Sequence, residues 1–161
     1  MILIMAEIIK WFNESFSALF KNDEALISSK IKEETINHRL LYYLELFCPT
    51  KYKEYNFDME YDKLIDDKKK IKVGKEGGKN IRPDIIIHKR NTFDNLFVFE
   101  CKKSYLTKFD KKKLKCFKNS QYNYSMCLGV SYLPNKKYFL LYKNNNPIRI
   151  IKSDVNFEEI L

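Results

Sequence analysis

At 161 residues, 45% apolar and 32% charged, the chain is long enough to close one hydrophobic core without disulfides or a structural metal. Its net charge of +9 favours an anionic partner, usually nucleic acid, although a background rich in Lys, Ile, Asn, Tyr and Phe also follows from an AT-rich genome. Cys48, Cys101, Cys116 and Cys127 show no C-x-x-C pairing and no His at zinc-ligand spacing, so they read as reduced, mostly buried thiols. The opening Met1 to Ala6 is too short, and too soon followed by Glu7, for a signal peptide or membrane span; the cytoplasm is the expected location.

From about Ile4 to Phe20, Ile8, Trp11, Phe12, Phe16, Leu19 and Phe20 recur at helical spacing, which predicts an amphipathic helix packing on the core. A second helix is expected from Ser28 or Ser29, either of which could cap it, to about Phe47, where Pro49 stops it. Its apolar stripe is Ile36, Leu40, Leu41 and Leu44. Residues 55–61 alternate loosely as a first strand. The polar, Gly-containing stretch 66–80 reads as an exposed loop or hairpin tip. Two apolar strands follow, joined by a turn between His88 and Asn95. A helix over about 109–119, strands over 124–133 and 137–142, and a short last strand over 148–151 complete the chain. The order α-α-β-β-β-α-β-β predicts one α/β domain over 1–161, a mixed sheet flanked by helices, with no internal repeat.

The two central strands carry charges that an apolar strand has no structural reason to hold. Asp84 opens Asp84-Ile85-Ile86-Ile87 after Arg82 and Pro83, and Glu100 and Lys102 close Leu96-Phe97-Val98-Phe99-Glu100-Cys101-Lys102-Lys103. Strand side chains alternate, so Glu100 and Lys102 share a face and Cys101 points opposite. If the strands are neighbours, two carboxylates and an ammonium converge, the minimum equipment for metal-assisted phosphodiester cleavage. A simpler reading makes Glu100 half of an ion pair with Lys102 or Arg82, and Asp84 an ordinary strand-start residue.

Pro83-Asp84, a gap, then Glu100-Cys101-Lys102 resembles the signature of the PD-(D/E)XK nuclease superfamily, and residues 28–142 look like one of its small uncharacterised families. The resemblance implies a restriction-endonuclease-like fold and a metal-dependent phosphodiesterase acting on nucleic acid, DNA being the commonest substrate. It implies Mg²⁺ or Mn²⁺ on Asp84, Glu100 and the Cys101 carbonyl, which suits hard oxygen ligands without a nearby His. Lys102 would orient the attacking water or stabilise developing charge, with Lys103 facing away and replaceable.

The family also places an acid on the helix before the sheet. Glu33 shares the stripe of Ile36 and Leu40, whereas Glu34 falls with His38 and Glu45, so Glu33 is preferred as the catalytic and metal-binding acid. His38 is expected half-buried, and Arg39 either reaches phosphate or pairs with an acid such as Glu45 or Glu60.

The family's fold sets the next helix beside the cleft, so Lys111, Lys112, Lys115 and Lys118 are candidate phosphate contacts, Arg82 a further candidate nucleic-acid contact, and Gln121, Tyr122 and Tyr124 candidate sugar or base neighbours. Lys113 belongs to the same basic run. Two other functions stay open: a catalytically inactive nucleic-acid-binding module, and a partner-binding subunit of a defence or mobile-element system that docks through Trp11, Phe12, Phe16 and Phe20. A homodimer or another protein partner is also open; a membrane is not expected.

Overall fold

Burying the aromatic stripe of the first helix requires a second helix to cover it, and the chain supplies one after a sharp break. The computed structural model describes residues 2–61, 63–64, 67–68, 70–71, 79–80, 82–118, 122, 124–133, 138–143, 146–152 and 157–160. Helix α1 (Ile2–Asn22) buries Ile8, Trp11, Phe12, Phe16, Leu19 and Phe20. All of them sit in the protein's own core, so Trp11, Phe12, Phe16 and Phe20 are not presented to a partner.

The helix expected from Ser28 or Ser29 to about Phe47 begins later, as α3 (Glu33–Leu46), and a short helix that was not foreseen, α2 (Glu24–Ser28), precedes it. The serines were expected to begin a helix; instead Ser29 ends one, its hydroxyl donating to the Leu26 carbonyl at 2.9 Å. Lys32, extended at φ −64° and ψ 145°, precedes α3 without a side-chain cap. The Trp11 indole N–H donates to the Leu44 carbonyl at 2.8 Å and the Ser15 hydroxyl approaches the Tyr43 carbonyl at 3.2 Å, clasping α1 to α3. Arg39 pairs with Asp23 at 3.0 Å rather than with Glu45 or Glu60. His38 is exposed, not half-buried, because it lies on the outer side of α3, away from Ile36 and Leu40.

Seven strands form one sheet in chain order: β1 (Asn56–Met59), β2 (Ile85–His88), β3 (Asn95–Lys102), β4 (Met126–Ser131), β5 (Tyr138–Lys143), β6 (Asn146–Lys152) and β7 (Phe157–Ile160). Every neighbouring pair is antiparallel except β3 and β4, which run parallel and need a crossover, provided by α4 (Lys108–Lys118). The last strand was not foreseen, and β6 is longer than the expected 148–151. Lys63–Leu64 pairs with Asp67–Lys68, and inside the stretch 66–80, read as a loop or hairpin tip, Lys70–Ile71 pairs antiparallel with Lys79–Asn80. The glycines at 74, 77 and 78 lie outside the described residues. The β2–β3 turn carries Asn91 at φ 59°, a left-handed conformation that Asn tolerates.

Strands β2, β3 and β4 are buried on both faces, which is why β2 and β3 read as continuous apolar runs. Ile85, Ile87, Phe97, Phe99, Leu128 and Val130 pack under α1 and α3, while Ile86, Val98 and Cys127 meet Leu106, Leu114 and Phe117 beneath α4. Alternation therefore assigns Glu100 and Lys102, two and four residues beyond Val98, to the α4 face.

Two local features hold α4 there. Thr107 and Asp110 form a reciprocal cap: the Asp110 carboxylate accepts from the Thr107 N–H at 2.8 Å, and the Thr107 hydroxyl accepts from the Asp110 N–H at 3.1 Å. Gly129 stands beside Glu100 in the parallel register, and a Cβ there would meet Leu106 at 2.5 Å and Leu114 at 3.0 Å, so its bare backbone permits close approach of this layer. Among the described residues, no helix is long and apolar enough to cross a membrane.

Candidate functional site

The β2–β3 pairing ends at Ile85 and Phe99, and the next residues on both strands carry the site. Beyond that point the Asp84 side chain replaces the ladder. Its Oδ2 accepts the Cys101 N–H at 2.6 Å, and its own carbonyl accepts the Glu60 N–H at 3.1 Å. Glu60, just past β1, has φ 50° and ion-pairs with Arg82 at 3.0 Å.

Glu100 is 3% exposed, far below what an isolated carboxylate tolerates, and it is held by two lysines. Lys113 Nζ donates to Oε1 at 2.9 Å and lies 2.7 Å from Oε2. The second contact is a charge attraction without hydrogen-bond alignment, so Oε2 has no aligned donor. Lys102 Nζ stands 3.8 Å from Glu100 and 3.5 Å from Glu33. Glu33, first residue of α3, accepts the Lys103 N–H on Oε2 at 2.7 Å. Its neighbour Glu34 is exposed.

Glu33, Asp84, Glu100 and Lys102, from three separate segments, are thus brought together at one end of the sheet. Lys103 faces away from the acids, but it is not idle. Its ammonium donates to the Ser29 and Ile31 carbonyls at 2.6 and 2.9 Å, contacts that a replacement at this position would give up.

The charges perturb one another. Burial, then the adjacent Asp84, pushes the Glu100 carboxyl up to about 7, against the pull of Lys113 and Lys102. Burial also raises Asp84, opposed by the Cys101 N–H and by both lysines. For Lys102, burial favours the neutral amine, but Glu33, Asp84 and Glu100 outweigh it and its pKa rises. Lys102 therefore stays charged, fit for electrostatic stabilisation rather than proton abstraction.

A pH dependence follows from Glu100. Its carboxyl titrates near 7 in the fold and near 4.5 in the unfolded chain, so the folded state holds the extra proton between those values. The stability contribution of Glu100 therefore falls as pH rises from about 4.5 to about 7 and levels off above. Urea melts of metal-free wild type and Glu100→Gln across this window should differ by that slope. Parallel profiles, or a wild type that gains stability relative to the variant as pH rises, would contradict it.

Hard-oxygen donors available to a cation here are the Asp84 and Glu100 carboxylates and the Cys101 carbonyl. Tyr132 N–H donates to the Lys102 carbonyl at 2.9 Å, and carbonyls alternate along a strand, so that of Cys101 faces the Asp84 edge. The mutual repulsion of Asp84 and Glu100, and an Oε2 without an aligned donor, fit a divalent cation. Glu33 stands behind Lys102. Among the described residues, no group of three or more His, Cys, Asp or Glu is assembled as a metal cluster. Lysines stand between the acids.

The basic run divides. Lys111, Lys112 and Lys115 are exposed on the outer side of α4, whereas Lys113 turns inward to the site. The signal for Lys113 was present: it lies three residues after buried Asp110 and four before buried Phe117. Arg82 is exposed, engaged with Glu60. The side chain of Lys118 and all of Gln121 lie outside the description. Tyr122 and Tyr124 are not base neighbours; both rings are buried under α4, where Tyr124 meets Phe117 edge-on at 5.7 Å. Compared with family models, curated proteins and solved structures, the chain matches none.

Proposed function

We propose that this chain is a metal-dependent nuclease of the PD-(D/E)XK type, cleaving phosphodiester bonds in nucleic acid, with DNA as the first substrate to test. The observation that carries the reading is Glu100: a nearly fully buried carboxylate at a strand end, raised by burial and by Asp84 beside it. Purely structural carboxylates are rarely placed so that each opposes the ionisation of the other. The order α3, three-strand meander, α4, parallel β4 supports the same reading, being the core arrangement that the sequence resemblance implies.

In this reading Asp84, Glu100 and the Cys101 carbonyl hold Mg²⁺ or Mn²⁺. The ion would supply Lewis acidity at a phosphoryl oxygen and lower the pKa of a bound water. Lys102, kept protonated by three carboxylates, places its charge where the pentavalent phosphorus gathers negative charge. Glu33 positions Lys102 from the far side. The exposed Lys111, Lys112 and Lys115 neutralise backbone phosphates, a contribution that weakens steeply with salt.

Calorimetric titration with Mn²⁺ tests the site directly. Wild type should bind, and both Asp84→Ala and Glu100→Ala should abolish binding; heats indifferent to both substitutions would end the two-acid reading. The inactive binding module is favoured by one observation, that Lys102 and Lys113 already neutralise Glu100. Its result would be metal-independent, strongly salt-dependent binding of nucleic acid without cleavage.

A further inference from the structure

The basic run of α4 contains one lysine that its neighbours do not explain. Lys111, Lys112 and Lys115 lie in solvent, but the side chain of Lys113 is 13% exposed and its ammonium spans both oxygens of Glu100, at 2.9 and 2.7 Å. Those are the oxygens that a metal bound by Glu100 must use. The Oε1 lone pair that accepts from Lys113 is closed to a metal, and a divalent cation on Oε2, which has no aligned donor, would meet the ammonium 2.7 Å from that oxygen at contact distance, where the two positive charges repel.

The pairing has a reason when no metal is bound. Glu100 is buried beside half-buried Asp84, and removing the partner of a buried charge costs several kcal/mol. An ammonium on a flexible four-carbon stem can neutralise such a site and still leave it. The helix need not move for this, because the Thr107–Asp110 cap, Leu114 and Phe117 anchor α4 on either side of Lys113. A change of the lysine rotamer alone would suffice, toward the flank that carries exposed Phe109 and Lys112.

We propose that Lys113 is a built-in counter-ion that holds Glu100 until a divalent cation displaces it, so that metal binding expels this ammonium from the site toward the face where a phosphate would lie. The inference rests on the metal reading of Asp84 and Glu100. It adds that the apo site is closed to solvent cations by the chain itself, and that metal occupancy and Lys113 exposure are reciprocally linked.

Two measurements test it. Mn²⁺ titration of Lys113→Gln should show binding about tenfold tighter than wild type, a coupling of ordinary size, with Lys108→Gln, at the exposed start of the same helix, indistinguishable from wild type. In wild type, acylation of Lys113 by an amine-reactive ester, followed by mass spectrometry, should rise severalfold when Mn²⁺ saturates the site, while Lys112 and Lys115 react equally with and without metal. Unchanged or weaker Mn²⁺ affinity in Lys113→Gln overturns the proposal. So does a Lys113 reactivity that bound metal leaves unaltered, and this second readout needs no variant to fold. Absence of Mn²⁺ binding by both wild type and Lys113→Gln would overturn the metal reading, and the displacement with it.

Discussion

Glu100→Gln is expected to reduce Mg²⁺-dependent cleavage of an oligonucleotide by about a thousandfold or more, which corresponds to about 4 kcal/mol of lost transition-state stabilisation. The amide matches the carboxylate in size and keeps an oxygen toward Lys113, so the surrounding core of Val98, Leu106 and Leu114 should stay packed. What it cannot supply is the negative charge that a divalent cation needs. The sign of the stability change separates a chemical effect from a folding defect. Above pH 7 the metal-free variant no longer carries the ionised, buried Glu100, whose charge opposes that of Asp84. Single-turnover cleavage of single- and double-stranded substrates, with urea melts of the same preparations, makes the comparison. A variant that keeps its rate within tenfold would remove Glu100 from the chemistry.

Trp11→Ala should cost about 3–5 kcal/mol of folding stability, the largest loss foreseen for a single residue distant from the site. Its ring is 1% exposed and stacks on Tyr52 at 5.6 Å, with Phe97 edge-on at 5.8 Å. Its N–H satisfies the Leu44 carbonyl, which would be left buried without that donor. Because that bond joins α1 to α3, the helix carrying Glu33, a secondary decline in activity should accompany the thermodynamic one. Chemical denaturation of wild type and variant gives the number; a loss below about 1 kcal/mol would mean that the cavity collapses without penalty.

What could be read from the chain divides by range. Runs of β-branched and aromatic residues located β2 and β3, and the stripe through Trp11 and Phe16 located α1, because period and composition are local signals. Choosing Glu33 over Glu34 was also local, one stripe on one helix. The break between α2 and α3 was hidden because no Gly or Pro marks residues 29–32, and a serine can close a helix as readily as open one. For Lys113, spacing from Phe117 separates it from Lys112 and turns it to the inner side of α4, but its partner Glu100 is set only by where the crossover lays that helix on the sheet. Tyr122 and Tyr124 were misplaced for the same reason, since the second core that buries them exists only once the crossover is packed.

The contacts of Lys103 bear on how this arrangement can be inherited. One residue offers its amide to Glu33 and its ammonium to two carbonyls of the α2–α3 connection, so strand β3 sets the placement of a helix seventy positions earlier. In this chain Glu100 through Lys103 therefore act as one structural unit of four residues, with no free position at its end. Among descendants of such a chain, a short or apolar residue at position 103 should travel with a rebuilt connection before α3, and a search pattern that ignores this position would group chains whose helical acid is held by different means.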